Sequence, residues 1–203
     1  TKDCVNSNIY NSFEVINFAK DNNIKIIYSA TSSNLGNDGK DQNSSPYAWT
    51  KTKNIELIKN YGDWFGLRYE ILYFYNVYGP GQIKNGKMSA LIAIFEKQYK
   101  NKKPLTIVKP GTQLRDFTHI DDIIEGCYKA VIKNKNKEYM LSSGKKFSIL
   151  QIAKMFNTKY KYISKRPGDR KDSIVLNNNA KKILGFKAKN TLKDYIENFI
   201  KTH

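Results

Sequence analysis

The sequence predicts an α/β protein built on a parallel sheet, and three observations carry that expectation. Two short apolar runs rich in β-branched and aromatic residues, IKIIYS and YEILYFY, are separated by a long helical stretch. Strand, helix and strand of these lengths imply a right-handed crossover between parallel neighbours. The first run also opens into the small hydroxylated turn TSS at its carboxyl end, where open α/β sheets receive ligands.

In chain order the pattern gives a helix over 8–21, a strand over 25–29 and a helix over 47–65 ended by Gly66, followed by a strand over 69–75. From Gly79 onward the periodicity is less regular. It gives a helix over 88–100, a short strand over 105–108, and helices over 121–133, 149–156, 177–185 and 191–201. No internal repeat and no low-complexity linker interrupts this order.

The 203 residues suffice for one domain with a substantial core, or for part of a larger one. Cys4 and Cys127 are too few and too far apart for a disulfide framework or a metal site. No apolar run approaches the ~20 residues of a membrane span and no signal peptide is visible. The composition therefore reads as a cytoplasmic globular protein without a membrane partner. A net charge of +17 raises the question of nucleic acid. The lysines are scattered singly and in pairs along helix faces and loops, however, and form no basic arm. The expectation is no nucleic-acid partner, with a positive field that attracts anionic small molecules.

Tyr47 and Lys51 stand four residues apart at the start of the second predicted helix, so they share one face. An ammonium beside a phenol favours the phenolate, which lets a tyrosine act as a general base near neutral pH. Thr31, on the hydroxylated turn, is placed to hydrogen-bond the hydroxyl that Tyr47 deprotonates. A second block, FYNVYGPGQ, ends its strand at Asn76 and turns through Gly79, Pro80 and Gly81, leaving amide donors open to a ligand. Arg115 and Arg166 stand out in a chain that uses mostly lysine, and a guanidinium fork suits a phosphate. Asp116, Asp121 and Asp122 read as loop and helix-start hydrogen-bond acceptors. Their spacing to His119 matches no metal motif, so no metal is expected.

The blocks YSATSSNLG, SPYAWTK, LYFYNVYGPGQ, LRDFTHIDDI, LSSGKKFSILQIA and KRPGDRKDS follow one another along almost the whole chain. In that order and spacing they resemble the extended short-chain dehydrogenase/reductases that act on nucleotide sugars, of the UDP-glucose 4-epimerase type. The resemblance implies a Rossmann-like parallel sheet, of which this chain carries the C-terminal part, with a smaller mixed α/β substrate-binding domain. Residues 1–80 would belong to the NAD-binding domain. Residues 81–203 would form mainly the nucleotide-sugar region, with some segments returning to the first.

It further implies NAD as cofactor, a nucleotide-diphosphate sugar as substrate, and a homodimer through the helix that follows Tyr47. Catalysis would fall to Thr31, Tyr47 and Lys51. Asn8, Ser29, Tyr47, Lys51 and Phe74 would contact NAD. Thr31, Asn76, Ser89, Thr106, Val108, Arg115, Arg166 and Asp169 would contact the substrate. The glycine-rich dinucleotide turn of these enzymes has no counterpart in the sequence, so about half of the NAD-binding domain is expected to lie outside it. The chain by itself would then bind NAD poorly. Three local departures stand out: Tyr73 where relatives commonly carry Arg, Ser89 where they often carry Asn, and a shortened stretch between Thr31 and Tyr47.

Dehydratases of this superfamily resemble the epimerases but carry Asp or Glu after the catalytic Ser/Thr, where this sequence has Ser32 and Ser33. That difference favours oxidation and re-reduction at C4 through a 4-keto sugar. A 4,6-dehydratase and a truncated, non-catalytic nucleotide-sugar-binding paralogue stay open beside it.

Overall fold

The computed structural model describes residues 2–35, 41–86, 89–164, 172 and 175–203. Its contacts divide into two compact units, and the chain passes between them repeatedly.

Unit 1 comprises Thr1–Phe74, Glu125–Leu141 and Ile174–Phe186. It opens with α1 (Lys2–Val5), which runs through a π-helical turn, Asn6–Tyr10, into α2 (Asn11–Asp21). The helix expected over 8–21 thus starts earlier and carries one widened turn. Then come β1 (Ile26–Thr31), a 3₁₀ turn (Ser32–Asn34), α3 (Pro46–Phe65) and β2 (Tyr69–Phe74). With β6 (Glu138–Leu141) they make an all-parallel sheet in the order β1-β2-β6, in which Thr31 pairs with Phe74 and Phe74 with Leu141. The central strand β2 is buried from Tyr69 to Tyr73, as a parallel strand covered on both faces should be. Its Glu70 is 0% exposed and accepts backbone hydrogen bonds from Lys135 (2.7 Å) and Lys137 (3.3 Å), which latches the approach to β6. At Tyr73 the phenol donates to Glu138 (3.1 Å), which also pairs with Lys59 of α3 at 2.8 Å. Tyr73 therefore serves a structural polar contact between β2, β6 and α3.

The local signals that start and stop α3 are explicit. Ser45 caps it by accepting from the Ala48 amide (3.1 Å), Pro46 fills the first turn, and Gly66 ends it with φ of 70°.

Unit 2 comprises Tyr75–Ile124, Ser142–Ser173 and Lys187–His203. It holds β3 (Asn76–Tyr78), α4 (Leu91–Lys100), β4 (Leu105–Val108) and β5 (Leu114–His119). The unit boundary then falls within α5 (Ile120–Val131). Next come β7 (Lys146–Ser148), α6 (Ile149–Met155) and β8 (Tyr160–Ile163), while α7 (Asn179–Leu184) belongs to unit 1 and α8 (Leu192–Lys201) closes unit 2. The mixed sheet β3-β5-β7 and the parallel pair β4-β8 complete it. Its core joins Ile92 and Phe95 of α4, Leu105 and Ile107 of β4, Phe156 and the α8 residues Ile196 and Phe199.

Five of these strands, β3, β5, β6, β7 and β8, correct the sequence expectation, which placed only helices and one strand after residue 75. The single run over 69–75 also ends one residue earlier, and the chain leaves its first sheet there. The turn after β3 depends on Gly79, with φ of 140°. A Cβ at that position would lie 2.6 Å from Ile120 Cγ2 and 3.1 Å from His119 Nε2. Gly79→Ala is expected to cost about 2–3 kcal/mol, from backbone strain and overpacking together, read as a lower urea midpoint.

Candidate active site

Within unit 1, β1 and α3 bring four of the expected residues to the carboxyl end of the sheet. Thr31 ends β1, where its Oγ1 accepts from the Ser33 amide (3.1 Å) and donates to Ser33 Oγ (3.0 Å). That local bond caps the 3₁₀ turn and fixes the Thr31 rotamer. Lys51 projects from α3 to donate to the Ser29 carbonyl at 3.0 Å. Its ammonium also lies 4.8 Å from the centre of the Tyr28 ring. Burial pulls the Lys51 amine below the usual lysine range. Tyr47, one helical turn earlier, is 42% exposed.

Beneath this pair runs a polar network. Asn8, in the π-helical turn, donates from its side chain to Thr50 Oγ1 (3.0 Å), and Thr50 donates to the Tyr47 carbonyl (3.1 Å). Asn54, 1% exposed, donates to Ser12 Oγ (3.1 Å), to Tyr28 Oη (3.2 Å) and to the Asn8 carbonyl. Asn8 and Ser29 therefore act first on α3 and Lys51. Tyr28 and Asn54 were not candidates in the sequence reading. The available signal was an asparagine on the buried face of α3, beside Ile55 and Ile58.

Unit 2 carries the other described substrate candidates. Asn76, at the start of β3, donates to the Asp116 carbonyl at 2.7 Å. Arg115 is buried in β5 opposite Phe147, and one of its nitrogens donates to the Leu114 carbonyl (2.8 Å). The Asp116 carboxylate, 1% exposed, accepts from Ser142 Oγ (2.6 Å), Ser143 Oγ (2.9 Å) and the amides of Ser143 and Gly144 (3.0 Å each). Asp122 is held likewise by Lys189 and Asn190. Both aspartates are loop-fixing acceptors. His119 packs against the rings of Tyr78 and Tyr195 and accepts from the Asp121 amide (3.2 Å). Among the described residues, no group of three His, Cys, Asp or Glu side chains is placed to hold a metal ion.

The remaining candidates are dispersed. Thr106 exchanges two hydrogen bonds with Gln98 of α4, while Val108 pairs with Ile163 in β8. Ser89 donates its amide to Gly86, and its hydroxyl has no hydrogen-bond partner among the described residues. Phe74 lies in unit 1, at the end of β2. Arg166 and Asp169 lie outside the described residues.

Residues 1–142 match the profile of the NAD dependent epimerase/dehydratase family. The chain belongs to that family. Among curated members it is 30% identical over 207 residues to the UDP-glucuronate 4-epimerase of Thermodesulfobacterium geofontis, covering 94% of this chain and 62% of that protein. It is 32% identical over 167 residues to UDP-glucuronate 4-epimerase 3 of Arabidopsis thaliana, covering 75% of this chain and 37% of that one. The chain thus spans less than two thirds of either curated epimerase.

Two solved epimerases share its Rossmann-like α/β fold. The UDP-N-acetylglucosamine 4-epimerase of Methanobrevibacter ruminantium, in complex with UDP-N-acetylmuramic acid, gives a TM-score of 0.87 at 26% identity, over 97% of this chain and 68% of that one. The UDP-glucuronic acid 4-epimerase of Bacillus cereus, in complex with UDP-glucuronic acid and NAD, gives 0.86 at 29%, over 98% and 68%. Members of this epimerase/dehydratase family are NAD dependent. Among the described residues, no helix is long and apolar enough to cross a membrane.

Proposed function

We propose that the intact protein epimerises a UDP-sugar at C4, of the UDP-glucose/UDP-galactose type, through a 4-keto intermediate. The observation that carries this reading is the turn after β1. There Thr31 bonds to the hydroxyl of Ser33, and no carboxylate stands at 32 or 33 to move a C5 proton or help expel the C6 hydroxyl.

The donor set at the end of β1 fits a nicotinamide ribose: an ammonium with hydrogens to spare beyond its Ser29 bond, and a half-exposed phenol one turn away. NAD, when bound, supplies the hydride acceptor and then the hydride donor. Tyr47 takes the 4-hydroxyl proton and later returns it. Thr31 positions that hydroxyl, and Lys51 holds the ribose and favours the phenolate. Asn76, Arg115 and Arg166 hold the diphosphate, Asp169 the ribose, and Ser89, Thr106 and Val108 the base. Phe74 contributes to the nicotinamide side, and the homodimer belongs to the same reading.

Proton NMR of the intact, NAD-loaded protein in deuterated water tests it, with UDP-glucose, UDP-galactose, UDP-N-acetylglucosamine and UDP-glucuronate as substrates. The expected result is interconversion of a C4 pair with no deuterium in the sugar. Deuterium at C5, or a 6-deoxy-4-keto product, would replace the proposal with C5 or dehydratase chemistry.

A further inference from the structure

We propose that Tyr28 is a positioning residue whose ring face and neighbouring carbonyl clamp the Lys51 ammonium in its working place. The proposal rests on the reading of Tyr47 and Lys51 as the reacting pair. Adjacent residues of β1 supply both halves of the clamp: the Ser29 carbonyl accepts from Lys51 at 3.0 Å, and the Tyr28 ring lies 4.8 Å from the ammonium. Lysine carries its charge on a flexible four-carbon stem, so a single carbonyl leaves that stem free to swing. The ring adds a second, non-collinear restraint.

The ring is itself tied down. Its hydroxyl accepts from Asn54 at 3.2 Å, and Asn54 stands three residues after Lys51 on α3 while also reaching Ser12 and the Asn8 carbonyl. Tyr28 therefore meets α3 twice, by its face at Lys51 and by its hydroxyl at Asn54. Burial first, with Tyr47 adding and the Asn54 bond opposing, pushes the Tyr28 phenol up to about 12. The phenol stays neutral at working pH, and the contact with Lys51 is a cation over a ring face.

Two readouts test this: the acylation rate of Lys51 in cofactor-free protein, followed by peptide mass spectrometry, and kcat of the NAD-loaded protein. Tyr28→Phe keeps the face and is expected to stay within about twofold of the parent in both. Pentafluorophenylalanine at position 28 keeps the ring shape and reverses its quadrupole, so the packing is preserved. It is expected to raise Lys51 acylation, and to lower kcat, by about tenfold. Tyr28→Met, which removes the ring, should follow the fluorinated variant.

Unchanged acylation in the fluorinated protein would overturn the proposal. Faster acylation with unchanged kcat, alongside a fully active Tyr47→Phe protein, would leave the clamp supported and remove the Tyr47–Lys51 pair from the chemistry.

Discussion

Tyr47→Phe in the intact, NAD-loaded protein is expected to lower kcat by roughly 10²–10⁴-fold, the contribution of one positioned acid-base group. The change removes a single oxygen from a side chain that is 42% exposed. Neither the Ser45 cap nor the Thr50 bond uses that oxygen, since Thr50 reaches the Tyr47 backbone carbonyl. The helix should therefore stay folded, with an unaltered melting midpoint and little change in KM. Turnover by NMR and thermal unfolding on the same sample separate the two effects. A variant of full activity would remove Tyr47 from the mechanism.

Asp116→Ala carries the largest expected loss of stability, about 3 kcal/mol. One buried carboxylate takes two amides and two hydroxyls from Ser142, Ser143 and Gly144, and removing it strands those donors together. Asp116→Asn keeps one acceptor oxygen but turns an NH₂ group toward the same donors, so it should fall between parent and alanine. Urea midpoints of the three proteins give the order. Equal midpoints would mean that water replaces the carboxylate without cost and that the 142–144 loop is not held by it.

The contrast between these residues explains what the sequence made legible. β1, α3, β2 and β4 were readable because their letters match their surroundings. YEILYF is an apolar strand inside a parallel sheet, IIYSAT is its half-buried neighbour, and Ser45, Pro46 and Gly66 mark both ends of a helix. β5 was not readable. It reads LRDFTH, yet Arg115, Asp116, Thr118 and His119 are all buried, because loop donors and aromatic neighbours satisfy groups that composition alone assigns to solvent. β8 fails for the opposite reason: YKYI is largely exposed and, among the described residues, pairs with β4 alone. At the site, Tyr47 and Lys51 follow from a spacing of four on a well-marked helix. The network below them does not, since most of its hydrogen bonds join positions more than twenty residues apart, such as Asn54 to Tyr28 and Asn8 to Thr50.

The repeated passage of the chain between the two units has a consequence for how the protein is made. Unit 1 needs Ile174–Phe186, and unit 2 needs Lys187–His203, whose α8 residues fill its core. Unit 1 is incomplete on the ribosome until Phe186 has emerged, and unit 2 until α8 has. A nascent chain halted after Leu141 would hold β1, β2 and β6 but lack α7 of unit 1 and β7, α6, β8 and α8 of unit 2. Until α8 emerges the core of unit 2 lacks Ile196 and Phe199, and exposed apolar surface of that kind is what makes larger proteins depend on chaperones. No single cut yields both units whole: one placed after Phe74 keeps every segment of unit 2 together but takes two segments from unit 1.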